Sequence, residues 1–509
     1  MAFESVLYGP DADTGQRDTA PAYFDDLHLD QIVETITSGF EEHHLERFFY
    51  TPLNSVQAVE YRHEVMRDLA DDNTFDSILS FTAQMRVVRD QVARADKLHY
   101  DYQKQRWFLQ AVETYCSAMT SFGAALSALR LRSRGLLGLR DYVASYLSSG
   151  SFHALSAAAH TQRSNLDSIR YSVFIKGNRV TVGRYEEAPD YSAEVTDAFK
   201  KFERGADTEY EFSLRDYPEM NHVEANILDL VAALNPETFA ALDDFYTTYR
   251  EFADRIVIRF DREIHFYLAY KKVVADLDAM DLAFCYPAIS LAEKATHSLS
   301  SFDLALAITM RKAGKTVVCN DWYLTGRERI IVVSGPNQGG KTTFARTFGQ
   351  LHHLAALGCP VPGTEAKLLL FDEIFTHFER GENLADRRGK LQDDLLRVHA
   401  ILARATTRSV VIINEIFSST TLLDALFLAR KVMELLIDLD ALCVCVTFLD
   451  ELGSLGEQTV SMTSMVAPDD FAKRTFQILR RPADGRAYAL SIAEKHGLTY
   501  QQLKARIPS

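Results

Sequence analysis

Apolar residues follow two different spacings in the two halves of the chain. Between residues 24 and 129, aromatic and aliphatic side chains recur three or four positions apart, which is typical of the buried faces of helices. After about residue 296, short apolar runs alternate with helical segments, as in α/β domains. The pattern predicts a mixed fold, with a mainly helical region followed by an α/β domain.

Three segments follow from this division. Residues 1–22 are polar and show no period, so they are predicted to be a flexible lead-in. Residues 23–295 form the helical region, and residues 296–509 form the α/β domain. A chain of 509 residues is too long for a single hydrophobic core, which agrees with more than one domain.

One helical stripe in the first region is unusually long. Asn235 is predicted to cap a helix that Pro236 opens and that continues without a break to about Met280. Some 45 residues at ~1.5 Å each would make an arm of roughly 65 Å. Such a length exceeds what a compact domain needs, so we expect the helix to connect separated parts.

A basic region lies between residues 130 and 185. It holds nine Lys and Arg residues against two Asp, a balance of +7 in a chain of net charge −15. Two alternating segments within it predict a β-hairpin near 171–184. The basic residues contact DNA phosphates, or they form a solvated face that balances the acidic stretch at 186–216. The candidates for DNA contact are Arg163, Arg170, Lys176, Arg179 and Arg184.

The overall composition is that of an ordinary globular protein, with 47% hydrophobic and 25% charged residues. Because the net charge is negative, any binding of nucleic acid requires a local basic patch. The six cysteines are scattered, which fits a reducing cytoplasm. No signal peptide and no apolar run of 18 residues is present, so we expect no membrane insertion.

The strongest chemical signal is the segment at 330–343, IIVVSGPNQGGKTT. It contains the phosphate-loop pattern G-x-x-x-x-G-K-[ST], with an apolar strand before it and a helical run after it. Backbone N–H groups of such a loop bind phosphate oxygens, the lysine places a charge on them, and the hydroxyl reaches Mg²⁺. The residues expected around the triphosphate are Gly335, Pro336, Asn337, Gln338, Gly339, Gly340, Lys341, Thr342 and Thr343.

A phosphate loop also needs a second strand whose carboxylate serves the metal and orients the attacking water. Two candidates compete. Asp372-Glu373 fits the pattern of an apolar run followed by Asp-Glu, whereas Asn414-Glu415 has an amide in the first position. Spacing favours the second pair, because only about 30 residues separate Lys341 from the first, which leaves little room for a helix and the next parallel strand.

Three segments of the second half combine into one recognisable pattern. They are Gly335–Thr343, Asp372–Thr376 and Asn414–Asp424. Together they resemble the ATPase domain of the MutS family of DNA mismatch-repair proteins, and the Pro336-Asn337 variant of the loop is specific to that family among phosphate-loop proteins. Weaker likenesses occur in the same order from Pro52–Arg62, through Asn320-Asp321, to Ala487–Ala493 and Gly497-Leu498.

The resemblance implies an ABC-type ATPase domain with ATP and Mg²⁺ as cofactors. It further implies a homodimer that forms through the ATPase domains, and a clamp on helical arms that closes around double-stranded DNA of a particular structure. Such a protein acts in mismatch repair or recombination control. The basic hairpin and the long helix lie where the clamp and its lever would fall, which favours the DNA interpretation.

The resemblance also assigns roles to residues. Lys341 and Glu415 become the catalytic candidates, with Glu415 as the base or as the residue that positions water. Thr342 and Asn414 become the metal-side residues, Asn414 through a metal-bound water. Thr420 and Asp424 support the loop behind the metal-side residues. Asp372 and Glu373 are no longer candidates for catalysis.

The chain departs from the family pattern at several points. Only about 50 residues precede the family-like helical core, so we expect the mismatch-reading and connector domains to be absent. Asn414 replaces an Asp, Phe448 replaces a His, and Gly389 replaces the Ser that family members offer to the partner's nucleotide. Lys390 or Arg388 would act across the dimer instead, or this loop is merely solvated.

These departures motivate a second hypothesis. The protein would then be a nucleotide-gated scaffold with weak or no hydrolysis, and its partner would be another protein or an RNA assembly.

Overall fold

The structure is a computed structural model that describes residues 3–10, 15–177, 179–185, 220–379, 389–467 and 470–482. Arg388, the acidic stretch at 186–216 and the family-like segments at 487–493 and 497–498 lie outside the described residues. Within these ranges, no helix is both long enough and apolar enough to cross a membrane.

Helices account for most of the first half of the chain. The described α-helices are α1 (Phe24–Leu27), α2 (Leu29–Thr37), α3 (Glu46–Tyr50), α4 (Val56–Asp68), α5 (Asp72–Lys97), α6 (Asp101–Ala128), α7 (Arg134–Leu147), α8 (Gly150–Asp167), α9 (His222–Leu234), α10 (Pro236–Thr248), α11 (Arg255–Asp278), α12 (Leu304–Lys312), α13 (Lys341–Ala356), α14 (Lys390–Arg404) and α15 (Leu422–Asp438). Several begin at a side-chain cap, which satisfies N–H groups that the helix itself leaves unpaired. Asp71 accepts from the Thr74 N–H at the start of α5, for example, and Asn221 and Glu224 form a capping box at α9.

Strands are concentrated in the second half. The described strands are β1 (Tyr171–Lys176), β2 (Arg179–Arg184), β3 (Phe284–Cys285), β4 (Ala288–Ser290), β5 (His297–Ser301), β6 (Asn320–Tyr323), β7 (Ile330–Ser334), β8 (Val361–Pro362), β9 (Glu365–Leu369), β10 (Ile374–His377), β11 (Val410–Asn414), β12 (Leu442–Val446), β13 (Thr459–Ala467) and β14 (Asp470–Arg480). The mixed helical and α/β fold that the sequence predicts is therefore confirmed.

Two compact units make up the chain. Unit 1 contains Met1–Leu69, Arg132–Leu136 and Arg262–Ser509, and unit 2 contains Ala70–Leu131 and Leu137–Asp261. The chain thus leaves unit 1 for unit 2 twice, with a short return to unit 1 at Arg132–Leu136 in between. The linear boundary near residue 295 concerns the family-like ATPase segment and stays a prediction.

A six-stranded sheet forms the centre of unit 1, in the order β10-β11-β12-β7-β13-β14. Neighbouring strands from β10 to β13 are parallel, and β14 is antiparallel to β13. Every residue of β7 and β12 is buried, including Cys443 and Cys445, as expected for a parallel sheet that is covered on both faces. Both cysteines therefore lie in a buried strand.

Aromatic packing between helices forms the core of unit 2. The rings of Phe81 on α5 and Phe122 on α6 stack with centroids 4.0 Å apart, and that of Phe260 on α11 lies 5.8 Å from Phe122. The antiparallel hairpin β1–β2 lies at one side of this unit, where Val182 packs against a cluster that contains Val231 and Phe239.

The predicted single helix from Pro236 to Met280 is wrong. The structure has α10 and α11 instead, with a break between residues 249 and 254. Asp254 explains the break, because its Oδ1 accepts from the N–H groups of Ile256 and Val257 and so starts a new helix. Tyr142 donates to the same oxygen at 2.9 Å, and the Asp254 N–H donates to the hydroxyl of Tyr115 at 3.0 Å. The arm of roughly 65 Å therefore does not exist as one helix.

Part of the predicted flexible lead-in is also packed. Residues Ser5 to Tyr8 are buried in unit 1. The Ser5 hydroxyl donates to Glu263 at 2.6 Å, and the Val6 N–H donates to the same carboxylate oxygen at 3.0 Å. The composition of 1–22 hides this, because four anchored residues stand within a polar stretch.

Candidate nucleotide-binding site

The phosphate loop joins the buried strand β7 to helix α13. Parallel pairing with β12 on one side and β13 on the other holds β7 in the middle of the sheet. The loop therefore leaves the carboxyl end of a parallel strand and enters the amino end of a helix. Unpaired N–H groups and the helix dipole both favour an anion at this position.

Two glycines of the loop are required by its geometry. A side chain at Gly339 would overlap Ser464 Oγ on β13, which donates to the Gly339 carbonyl at 2.6 Å. Gly340 has φ +90, a conformation that L-residues with a Cβ rarely adopt, and it directly precedes α13. The fully buried Ser464 thus supports the loop from below, a contact that the sequence did not predict.

Lys341 folds back over the loop. Its Nζ donates to the carbonyls of Gly335 at 2.9 Å and Pro336 at 3.0 Å, and the Phe448 ring centroid lies 4.6 Å away. The side chain is buried, and this desolvation lowers the pKa of Lys341, while the negative charge of Glu415 opposes the shift. The ammonium is therefore held at the loop by its own backbone.

Thr342 and Asn414 meet directly, although 72 residues separate them in the sequence. The Thr342 hydroxyl donates to Asn414 Oδ1 at 2.9 Å, at the carboxyl end of β11. Hydroxyl and amide oxygens are hard donors that suit Mg²⁺, and phosphate oxygens and water commonly complete its coordination. The pair therefore fits the metal, although it brings no negative charge of its own. Within the described ranges, no group of three His, Cys, Asp or Glu residues forms a separate metal site.

Glu415 follows Asn414 in a strained conformation. It has φ +57, which is uncommon for a residue other than glycine, and its N–H donates to the Val446 carbonyl at 2.9 Å. Its side chain lines the same cleft as the phosphate loop. Strained backbone of this kind is often found at functional sites.

The competing pair Asp372-Glu373 lies at the other edge of the sheet. Both residues precede β10, so they stand at the amino ends of the parallel strands, whereas the phosphate loop stands at the carboxyl ends. Asp372 accepts from the hydroxyls of Thr406 and Ser409, and Glu373 pairs with Arg404. These carboxylates have structural partners of their own.

A cleft of 410 Å³ adjoins the loop. Beyond the loop and Glu415, its lining comes from the segments around α12 and from β14, including Phe302, Met310, Asn320 and Phe476. Asn320 joins two of these walls, because its Nδ2 donates to the Phe476 carbonyl at 3.2 Å and its Oδ1 accepts from the Ile478 N–H at 2.7 Å. Sequence reasoning missed Phe302 and Phe476, since no local pattern ties them to the loop.

Comparison with known proteins identifies this region. The family model for MutS domain V matches residues 331–505. The match includes the phosphate loop, Asn414, Glu415 and Ser464, which the fold brings together. Residues 331–505 thus belong to the MutS domain V family.

Similar proteins carry the same family name. The DNA mismatch repair protein MutS of Erythrobacter litoralis (strain HTCC2594) is 31% identical over 219 residues, which is 42% of this chain and 25% of that protein. The protein of the same name from Shouchella clausii (strain KSM-K16) is 29% identical over 299 residues, 56% of this chain and 32% of its own length. That of Zymomonas mobilis is 32% identical over 197 residues. The chain thus spans a third or less of the length of these MutS proteins.

The residues that depart from the MutS pattern have definite positions. Phe448 is half exposed beside Lys341, where it presents an apolar ring to the ammonium. Lys390 forms an ion pair with Glu379, and Gly389 precedes α14. The lysine therefore already has an acidic partner within its own chain.

The two residues predicted to support the loop after Glu415 do not pair with each other. Asp424 instead accepts from the Thr421 hydroxyl at 2.8 Å, and its N–H donates to that hydroxyl at 3.3 Å. This exchange caps α15. The sequence did not predict this cap, and the supporting roles of Thr420 and Asp424 stay predictions.

The five residues predicted to contact DNA all belong to unit 2. Arg163 lies on α8 and pairs with Asp167 at 2.8 Å, while the Arg170 guanidinium lies 5.9 Å from the Tyr185 ring centroid. The other three are on the hairpin: Lys176, Arg179 and Arg184. The hairpin strands form at the residues that the sequence predicts.

Proposed function

We propose that this protein is an ATP-dependent DNA-binding protein of the MutS type, with residues 296–509 as its ATPase and dimerisation domain. The observation that carries the proposal is the contact between Thr342 and Asn414 at a phosphate loop within the MutS domain V match. This contact joins the two strand ends that such an ATPase uses. Residues 23–295 would then serve as lever and clamp.

ATP would bind with its phosphates on the loop N–H groups and at the amino end of α13. Lys341 would exchange the carbonyls of Gly335 and Pro336 for phosphate oxygens. Thr342 and Asn414 would hold Mg²⁺, which when bound neutralises phosphate charge. The apolar part of the cleft, next to Phe302 and Phe476, leaves room for the base.

Hydrolysis would depend on Glu415. Its carboxylate would orient the attacking water and hold the proton that the water loses. Asn414 and Phe448 stand where the family pattern has an Asp and a His, so the surroundings of the phosphates would hold fewer charged and polar groups. Turnover is therefore expected to be slow.

A second copy of the chain would pack against the ATPase domain. Three large apolar side chains, Leu422, Leu423 and Phe427, are each more than half exposed on α15, shortly after the Glu415 loop. Large exposed apolar side chains that lie together mark interaction surfaces. They support a homodimer that forms beside the nucleotide.

The test is Glu415→Gln, with Asp372→Asn as the matched control at the other edge of the sheet. Loss of the base should lower ATP turnover by about 100-fold while ATP binding stays within a few-fold of wild type. The control should hydrolyse ATP at the wild-type rate. Unchanged turnover in Glu415→Gln would refute the catalytic assignment.

The second candidate is a nucleotide-gated scaffold that hardly hydrolyses ATP and binds a protein or an RNA. The position of Phe448 over Lys341 favours it, because a polar group that could sense the γ-phosphate is replaced by a ring. Turnover measured with plain, mismatched and branched duplex DNA separates the two. Stimulation by any of these DNAs supports the ATPase, and ATP binding without turnover or DNA binding supports the scaffold.

A further inference from the structure

A cavity of about 830 Å³ lies within unit 2, between the start of α6 and the helices α9 and α10. This volume is in the range of small-molecule sites. Small and aromatic side chains form much of its wall: Ala225, Ala232, Ala233, Ala240, Tyr102 and Phe239. The phosphate loop belongs to unit 1, so the cavity is a separate site.

The cavity carries a surplus of negative charge. Asp101, Asp229 and Asp243 line it from three different helices, and no lysine or arginine is among its described lining residues. Within the described part of the chain, none of these three carboxylates forms an ion pair. Between residues 220 and 249 the sequence holds five acidic residues and no Lys or Arg. The cavity therefore attracts a cation.

A buried acceptor is a second and independent feature of the cavity. Gln105 of α6 lines it and is only 5% exposed. The Gln105 Nε2 donates to Asp243 Oδ1 at 2.7 Å, which fixes the orientation of the amide. Oε1 has no hydrogen-bond partner among the residues that the structure describes. Because a buried acceptor without a donor is unfavourable, a ligand that donates hydrogen bonds would be stabilised here.

The carboxyl end of α9 favours a cation as well. Asp229, Ala232 and Ala233 lie in the last two turns of this helix, where the helix dipole is negative. The last turn has no basic side chain that would balance the dipole. A positively charged ligand would supply the missing charge.

The spacing of the carboxylates decides which kind of cation fits. Within the described ranges, no three His, Cys, Asp or Glu residues stand close enough together to hold one metal ion. The negative groups of the cavity therefore do not converge on a point. A ligand that meets all of them needs several positive charges with apolar spacers between them, and such spacers would pack against the alanine side chains.

We propose that this cavity binds an aliphatic polyamine. The ammonium groups pair with Asp101, Asp229 and Asp243, and one of them donates to Gln105 Oε1. The methylene chain lies against the alanines. The inference is independent of the proposed function, because it requires neither nucleotide nor DNA.

Calorimetric titration of the full-length chain with spermidine measures the binding, without nucleotide or DNA and at roughly physiological salt. Screening at this salt suppresses association with scattered surface carboxylates. We expect saturable binding of one spermidine per chain. Propylamine should bind about ten-fold more weakly or worse, because its single ammonium group can pair with only one carboxylate. Magnesium chloride at the same concentration of positive charge should not displace spermidine.

Two variants test the charge and the cavity separately. Asp229 is exposed and has no ion pair within the described residues, so Asp229→Asn should fold normally and weaken spermidine binding by about 2- to 5-fold. Ala240 is an exposed residue of the cavity wall. Ala240→Leu fills the space without changing the charge and should weaken binding by about ten-fold or more.

Asp244→Asn is the matched control. Asp244 is exposed and follows Asp243 on α10, but it does not line the cavity, so its loss should leave the affinity for spermidine unchanged. Binding that Asp229→Asn and Ala240→Leu weaken and Asp244→Asn does not would support the site.

Several results would overturn the inference. If spermidine does not bind, if magnesium ions displace it, or if propylamine binds equally well, the cavity is not a polyamine site. If Asp244→Asn weakens binding as much as Asp229→Asn does, spermidine associates only with the general negative surface. If Ala240→Leu leaves the affinity unchanged, the ligand does not occupy the cavity.

Discussion

The two units bury different kinds of side chain. Unit 1 encloses polar and titratable groups, such as the fully buried His352 and His353 of α13, each of which has a hydrogen-bond partner. Unit 2 buries aromatic rings that stack on each other, as Phe81 and Phe122 do. Its described histidines are exposed. A parallel sheet with a ligand loop at its edge must bury helix ends and loop backbone, which need polar partners. Helices that pack only on each other need apolar side chains whose shapes fit together.

This contrast predicts that acid unfolds unit 1 first. Burial lowers the pKa of His63 and His352 to about 4 and that of His353 to about 3, against an ordinary value of 6.5. Between these values the unfolded chain binds more protons than the folded chain, so stability is full above pH 6.5 and falls as the pH falls towards 4. Each histidine would cost about 1.4 kcal/mol per pH unit in this window. Asp303 and Asp394, whose pKa values burial raises, act in the opposite direction but are two groups against three histidines.

The chain contains two tryptophans, one in each unit, which makes the measurement direct. Trp107→Phe leaves Trp322 to report on unit 1, and Trp322→Phe leaves Trp107 to report on unit 2. Each variant is unfolded in urea at pH 7.5 and at pH 5.5. The free energy of unfolding reported by Trp322 should fall more between these pH values than that reported by Trp107. Equal losses at both tryptophans would contradict the contrast between the units.

The second prediction concerns the core of unit 2. Phe81→Ala should destabilise that unit by about 3–5 kcal/mol, because it removes a buried ring that stacks 4.0 Å from Phe122. Urea unfolding followed at Trp107 measures the change. Leu79→Ala on the same helix is the control, since Leu79 is exposed and should cost under about 1 kcal/mol. A comparable loss in the control would contradict the view that the buried ring of Phe81 makes a special contribution to the stability of unit 2.

The smallest effect is expected beneath the phosphate loop. Ser464→Ala removes the hydrogen bond to the Gly339 carbonyl and should weaken ATP binding by up to about ten-fold, or roughly 0.5–1.5 kcal/mol. Equilibrium titration with a fluorescent ATP analogue measures it. Ser461→Ala on the same strand should bind as wild type does. If Ser464→Ala also binds normally, the loop keeps its shape without support from β13.

Features set by neighbouring residues could be predicted from the sequence. The strand, loop and helix at 330–356 and the hairpin at 171–184 each depend on side chains that are close in the chain. The pairing of Thr342 with Asn414 was also accessible, because parallel strands impose a minimum spacing between successive strand ends.

Features that depend on contacts between distant residues could not be predicted from the sequence. The break after α10 depends on Asp254, whose partners Tyr115 and Tyr142 lie more than 100 residues earlier. The apolar stripe continues through the break, so its period predicts one helix. Ser464 and Phe476 meet the phosphate loop only because β13 and β14 follow β7 in the sheet order. The cap at Asp254, an acidic residue just before an apolar run, was the one local signal that was missed.

The fold-back of Lys341 has a consequence for how the chain detects its ligand. A phosphate that takes the ammonium also releases the carbonyls of Gly335 and Pro336, which then require new donors. Under the proposed function, arrival of the phosphate would therefore change the hydrogen-bond partners of the backbone at the end of β7. The loop would register an occupied state even if the bound nucleotide were never cleaved.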